Sequence, residues 1–249
     1  MSLLSVFNLA CCFYLVSPFC VLRQDCPPGE VGCYPRGTTT NEKSPFPLVP
    51  TGGVPVSCPQ YASSGCCTPA VNSQLFLSYV LEENTLGEPS QAGCPACAAN
   101  VQALWCAFAC SPMQSEFLVV KGMRNVTIGG QPPQSVLAVV ANLTLAYAQG
   151  LFTSCSGVGL IRSNPVMDTI PLFLKYMGED QGVATAKTLV EFTVNGPGGR
   201  GLDLPLYDCC NFPSNLSDPG ATGNTSCPCA SCLGVCPGGV CSKKIDTVL

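Results

Sequence analysis

Between Cys94 and Cys110, the apolar residues Val101, Leu104, Trp105 and Phe108 recur three to four positions apart. This spacing predicts a helix over 94–110, ended by the Ser111-Pro112 step. A helix is also predicted after Cys67, in TPAVNSQLFLSYVLEEN, with Thr68 suited to the N-cap and Pro69 to the first helical position. GEPSQAG then breaks it. Over 134–154, Val136, Val140, Leu143, Tyr147 and Leu151 share one face of a helical projection, while Ser135, Asn142 and Gln149 share another. An amphipathic surface helix is the expectation there, and it turns Asn142 to solvent. Shorter helices are expected around 168–177 and 181–190, and strands at EFLVV after Ser115 and at VEFTVNG over 190–196. Residues 20–65 and the segment after 208 are rich in turn formers. No internal repeat or composition break divides the chain.

The N-terminus, residues 1–19, reads differently from the rest. They carry an apolar run of signal-peptide length and no acidic residue, so we expect a removed signal over 1–19, with a short membrane anchor as the alternative. Four N-x-S/T sequons at Asn125, Asn142, Asn215 and Asn224 agree with passage through the secretory pathway. If Cys11 and Cys12 leave with the signal, an even number of cysteines remains, as full pairing requires. Elsewhere the most apolar stretch, 135–152, is interrupted by Asn142, Thr144 and Gln149, which suits a surface helix better than a membrane span.

Composition then narrows the chemistry. The chain has 249 residues with 20 cysteines, 25 glycines, 23 prolines and only 10% charged residues. That describes a loop-rich fold held by cross-links in an oxidising compartment. Histidine is absent, which removes Ser-His and Cys-His nucleophile pairs and His-containing zinc sites. A net charge of −4 leaves no footprint for nucleic acid. No G-x-S-x-G, H-E-x-x-H or P-loop pattern occurs. The composition thus offers no catalytic constellation, and neither cofactor nor metal is expected.

The C-x-x-C of Cys94 and Cys97 is compatible with metal ligation (together with Cys229 and Cys232), with a redox dithiol, or with a disulfide framework. The adjacent Cys66 and Cys67 point apart and need two different partners. Cys106 and Cys110 lie four apart on one helix face. Two neighbours facing two helical cysteines make a double staple between segments, which favours the framework.

The motifs CC at 66–67, CPAC…LWC…CSPMQSEFL at 94–118, lone Cys155, KYMGEDQG at 175–182, EFTV at 191–194 and CPCASCLGVC at 227–236 occur in a distinctive order. In them, and in FCVLRQDC at 19–26, the chain resembles the N-terminal luminal domain of the Niemann-Pick type C membrane-protein family. The resemblance covers about residues 20–241, leaving 242–249 as a tail. It implies a helix-rich, disulfide-dense α+β single domain with a small mixed sheet enclosing an apolar pocket that holds one sterol. It also implies hand-over of that sterol by a small soluble luminal protein, and an endolysosomal or secreted location. Family members continue into membrane helices, so membrane attachment follows only if these residues are part of a longer transporter.

Carried over by position, Trp105, Leu75, Met177, Phe192 and Val194 fall at pocket-lining places, and Asp25 falls near the sterol hydroxyl. For each apolar residue ordinary core packing is the alternative, and for Asp25 a surface turn. The family's hydroxyl-binding glutamine is Val71 here and its asparagine partner is Gly32. Gln74, one helical turn beyond Val71, and the adjacent Asn72 offer substitutes. The resemblance further implies the pairs Cys20–Cys66, Cys67–Cys110, Cys58–Cys106, Cys97–Cys155, Cys94–Cys227 and Cys26–Cys33, with Cys210, Cys229, Cys232 and Cys236 also in the framework. A carrier of another small ligand, a vitamin or a fatty lipid, is the second reading, and a purely structural module the third. A flat polar vitamin calls for stacked tryptophans and tyrosines, whereas this chain has one Trp.

Overall fold

The computed structural model describes residues 20–22, 57–67, 75, 93–127, 132–158, 168–181, 188–195, 200–208, 212–213, 224–225 and 232. The helix expected at the Val101–Phe108 stripe forms as α1 (Pro95–Cys110), with Pro95 in its first turn. Ser111 ends it, and a four-residue turn, α2 (Gln114–Phe117), leads into β1 (Leu118–Val126). Next come β2 (Gln134–Thr144) and α3 (Leu145–Cys155). Beyond 168 lie α4 (Ile170–Lys175), a wide helical turn at Tyr176–Gln181, and β3 (Thr188–Asn195). A two-residue pairing of β4 (Phe212–Pro213) with β5 (Asn224–Thr225) completes the described elements.

The long amphipathic helix expected over 134–154 is replaced by a strand followed by a helix. Pro132 and Pro133 precede a β-branched run containing Val136, Val139 and Val140, which suits a pleated backbone. Leu137, Val139, Ala141 and Leu143 are buried on one face, and Val136 and Ala138 on the other. A strand covered on both faces loses its period-2 signature and mimics a helical stripe. The helix begins only at Leu145, where Thr144 Oγ1 accepts a hydrogen bond from the Tyr147 backbone N–H at 3.2 Å. Asn142 therefore lies in the central strand, half-buried, and not on a helix's solvent face. Likewise 188–190, expected to end a helix, open β3.

The sheet is small and mixed, in the order β1-β2-β3. β1 runs antiparallel to β2, and β3 runs parallel to β2, pairing Ala141 with Phe192 and Asn142 with Thr193. The Thr193 hydroxyl donates to Asn142 Oδ1 at 2.6 Å. Beyond β1's reach, Leu202 takes its place: Thr144 N–H donates to Leu202 O and Leu202 N–H to Asn142 O. The segment through Leu202 is then clamped to α1 by buried Asn100, which donates to Tyr207 O and accepts from Tyr207 N–H at 3.0 and 2.7 Å. Leu104, Leu143, Tyr147, Leu151 and Phe173 form the centre of the core between α1, α3, α4 and the sheet.

Among the described residues, five disulfides tie these pieces together. Cys20–Cys66, Cys58–Cys106, Cys67–Cys110 and Cys97–Cys155 form as the resemblance implied. Cys94 differs: its partner is Cys232, not Cys227. Cys26, Cys33, Cys210, Cys227, Cys229 and Cys236 lie outside the described residues. The five loops span 43 to 138 residues. For each of them a chain-entropy account gives about 4–5 kcal/mol. Overlapping loops do not add, but one such term is already comparable with the net stability of an ordinary domain. Cys94 and Cys97 are thus each bonded to a distant cysteine, as a disulfide framework requires. Among the described residues no metal-holding cluster occurs, and no helix is long and apolar enough to cross a membrane.

Candidate ligand-binding site

Two disulfides, Cys58–Cys106 and Cys67–Cys110, staple the 57–67 segment to α1 and organise the apolar site, whereas Cys66, expected to face the same helix, bonds Cys20 instead. Cys58, Cys67, Cys106 and Cys110 form a buried sulfur-rich cluster at the C-terminal half of α1, with Tyr61, Leu75, Trp105 and Ala109 packed on it. Trp105 also packs against the main core. Its indole meets Phe108 edge-on at 5.5 Å between ring centres and Phe192 at 5.9 Å. Positions 105 and 108 are three apart on one helix, so their rings share a face. Phe192 reaches Trp105 from β3. Such edge-to-face pairs contribute about 0.5–1.5 kcal/mol beyond their burial. Trp105 is thus the joint between the stapled segment and the sheet.

Met177 is buried in the main core, at the wide turn after α4. Its neighbour Gly178 passes directly against β3: a Cβ there would collide with the Val190 carbonyl oxygen and sit 3.1 Å from the Phe192 ring. That close approach sets where the Phe192 ring stands. Val190, Phe192 and Val194 alternate onto one face of β3 and grade from buried through half-buried to 38% exposed. The structure therefore brings Trp105 and Phe192 into contact, packs Leu75 on the same cysteine cluster as Trp105, buries Met177 in the core next to Gly178, and sets Val194 at the surface end of the Phe192 strand face. Asp25, Val71 and Gln74 lie outside the described residues.

Three polar residues that the sequence reading left unassigned shape this region. Gln114, fully buried, donates through Nε2 to the Phe108 and Ala109 carbonyls, while its Oε1 accepts from the Val21 and Leu22 N–H groups. It fastens the end of α1 to the segment beside Cys20. Its signal was visible, since it is the glutamine of CSPMQSEF. Asn100 clamps Tyr207, as described above. Tyr147, in contrast, reads as one more apolar residue of a stripe. Its side chain is buried, and its hydroxyl has no hydrogen-bond partner in the structure. Burial pushes its pKa far above the ordinary tyrosine value, with further upward contributions from Tyr61 and Asp203. Tyr61 is itself raised by burial, partly opposed by its hydrogen bond with Ser111.

Over residues 19–247 the sequence matches the family model described as Niemann-Pick C1 N terminus. The chain is also 28% identical over 158 residues to NPC intracellular cholesterol transporter 1 homolog 1 of Caenorhabditis elegans. That alignment covers 52% of this chain and 11% of the nematode protein, so the chain spans only a small part of the relative's length.

Proposed function

This chain belongs to the Niemann-Pick C1 N-terminal family, and from that membership and the position of Trp105 we propose that it binds one sterol, or a closely related apolar lipid, against the surface formed by Leu75, Trp105 and Phe192. The observation that carries the reading is the meeting of an indole from the stapled helix with a phenyl ring from the sheet, beside aliphatic Leu75. Such a wall suits a rigid hydrocarbon skeleton, and it offers no nucleophile or proton-transfer pair. Enclosing a sterol removes several hundred Å² of apolar surface from water, a gross gain on the order of 10 kcal/mol. Association and ordering costs offset a large part of it. Met177 lies on the core side and Val194 marks the strand end nearest solvent, while the family pattern assigns Asp25 and the position of Val71, where the family has glutamine, to the sterol hydroxyl, with Gln74 as a substitute for that glutamine.

In this reading the domain works in the secretory or endolysosomal lumen, where its disulfide framework is stable. It exchanges its lipid with a small soluble luminal carrier and serves a longer membrane transporter. Asn125, exposed on β1, is placed to carry a glycan, whereas Asn142 is half-buried.

Incubating the purified protein with a total lipid extract and identifying what co-purifies tests the proposal. Sterol should be retained at about one per chain. Trp105→Ala and Phe192→Ala should each weaken sterol binding roughly ten- to a hundredfold, corresponding to the loss of about 1.5–3 kcal/mol of apolar contact, with the disulfide pattern intact. Retention of a fatty acid or a polar vitamin in place of sterol, or full sterol affinity in both variants, would overturn it.

A further inference from the structure

The sheet has an open side. β1 is its outer strand, with β2 along one side and, among the described residues, no strand along the other. It is 9 residues long and presents backbone N–H and C=O groups to any second strand that approaches. The opposite boundary differs: the wide turn Tyr176–Gln181 runs over β3, with Gly178 against the Val190 carbonyl oxygen. Edge strands in natural proteins are blunted by charges, prolines or bulges. In β1 the register shifts between Val120 and Gly122, and Lys121 is exposed at that point, which protects the first half of the strand. Beyond it, Gly122–Val126 carries Arg124 as its sole charge, beside Met123, which is 46% exposed.

The same weakly protected stretch holds the sequon Asn125-Val126-Thr127. Asn125 and Thr127 are both exposed. Asn125 stands two residues from Met123, so the two side chains leave the same face of the strand. A second strand pairing with this edge would lie about 4.8 Å away. Its side chain opposite Asn125 would come within about 5.5 Å, measured between Cβ atoms. The first sugars of a glycan on Asn125 fill that space and lie along Met123. The sequon at Asn142 is placed otherwise, half-buried in the central strand with its Oδ1 holding the Thr193 hydroxyl at 2.6 Å.

We propose that Asn125 carries an N-linked glycan whose role is to close the β1 edge against a second copy of this chain. The inference rests on the secretory location in the reading above, because sequons are glycosylated in that pathway. Without the glycan, two β1 strands pair antiparallel about a two-fold axis and make one sheet continuous through both copies. With it, the bulk of the sugars keeps the second strand away and leaves the edge groups to water.

Expressing residues 1–249 in eukaryotic cells with no added leader, then mapping glycopeptides of the secreted protein, should find Asn125 occupied. Asn125→Gln and Thr127→Ala each remove this sequon at an exposed position and leave the other sequons in place. As concentration is raised, size-exclusion chromatography should show both variants shifting from monomer to dimer while the wild type stays monomeric. Adding Met123→Lys to Asn125→Gln puts a charge on the same strand face and should restore the monomer, which separates edge pairing from a general loss of solubility. A secreted chain bare at Asn125, sequon variants that stay monomeric, or a dimer that Met123→Lys leaves intact would each overturn this inference alone. A chain that is not secreted, with every sequon bare, would overturn the location reading and this inference with it.

Discussion

Replacing Gln114 by leucine keeps the side-chain size and removes four hydrogen bonds. Its amide N–H groups reach the Phe108 and Ala109 carbonyls at 2.8 and 2.9 Å, and its amide oxygen receives the Val21 and Leu22 N–H groups at 2.8 and 3.0 Å. The last carbonyls of a helix have no partner within it, so Gln114 is doing for α1 what a C-cap does, while also holding the segment that leads from the Cys20–Cys66 bridge. The Phe108 acceptor is fully enclosed, and leaving it unpaired costs about 1–3 kcal/mol. The other three bonds are part-buried and water can replace them in part, at about 0.5 kcal/mol or more each. The expected loss for Gln114→Leu is about 3 kcal/mol, or roughly 6–12 °C in Tm for a domain of this size. Denaturant titration with the disulfides intact checks it, and the midpoint should fall at an unchanged m-value. Gln114→Glu sharpens the test, because it keeps the acceptor and loses the donor. The Val21 and Leu22 N–H groups favour the ionised carboxylate, but they are part-buried, and full burial together with two facing carbonyls outweighs them and raises that carboxyl's folded pKa above its unfolded value of about 4.3. The folded state then binds more protons, so this variant's stability must fall as pH rises and recover on acidification. A Gln114→Leu loss below about 1 kcal/mol, or a Gln114→Glu variant indifferent to pH between 4 and 7, would refute the reasoning.

Gly178→Ala should destabilise by about 2–3 kcal/mol, the upper range for overpacking, because its added methyl meets the Val190 backbone, which cannot swing away as a side chain can. The same variant should weaken sterol binding, since the displaced Phe192 ring is half of the proposed wall; native-like stability by denaturant titration would contradict it. Tyr147 gives the chain an alkaline limit. Its folded pKa is raised well above the unfolded value of about 10, so its contribution is intact below pH 10 and is lost as pH climbs past it. The slope from this group is about 1.4 kcal/mol per pH unit. Stability of the wild type and Tyr147→Phe, compared from pH 9 to 11, should diverge in favour of the variant only above pH 10; parallel curves would show that the phenol is not protected from ionisation.

What the sequence disclosed depended on whether a signal was local. The α1 helix was legible because Val101, Leu104, Trp105 and Phe108 repeat at 3.6-residue spacing and Ser111-Pro112 stops it within the same window. β2 was not, because burial on both faces removes the alternation that identifies a strand, and the seven-residue spacing of Ser135, Asn142 and Gln149 imitates a helix face. Only the cap at Thr144 separates strand from helix, and a threonine amid apolar residues does not announce itself as a boundary. The partner of Cys94 was similarly hidden. Cys227, Cys229, Cys232 and Cys236 fall within ten residues, so the choice among them depends on where the tail crosses α1, and nothing local records that.

The site divides along the same line. Its apolar wall comes from residues whose spacing or motif was readable: Leu75 in the helix predicted after Cys67, Trp105 beside a staple cysteine, and Phe192 in the EFTV strand. Its framework comes from cysteines and from Gln114, which carry no periodicity but stand in motifs. Tyr147 had neither signal, since it occupies a stripe position where any large apolar residue packs equally well. Packing tolerates phenylalanine and tyrosine alike at such a place, so the hydroxyl adds nothing to the fold and costs something to bury. A residue in that position can be told from its neighbours only by asking which buried polar atoms the chain itself leaves unsatisfied. A buried hydroxyl without a partner is therefore what periodicity hides most completely in such a core.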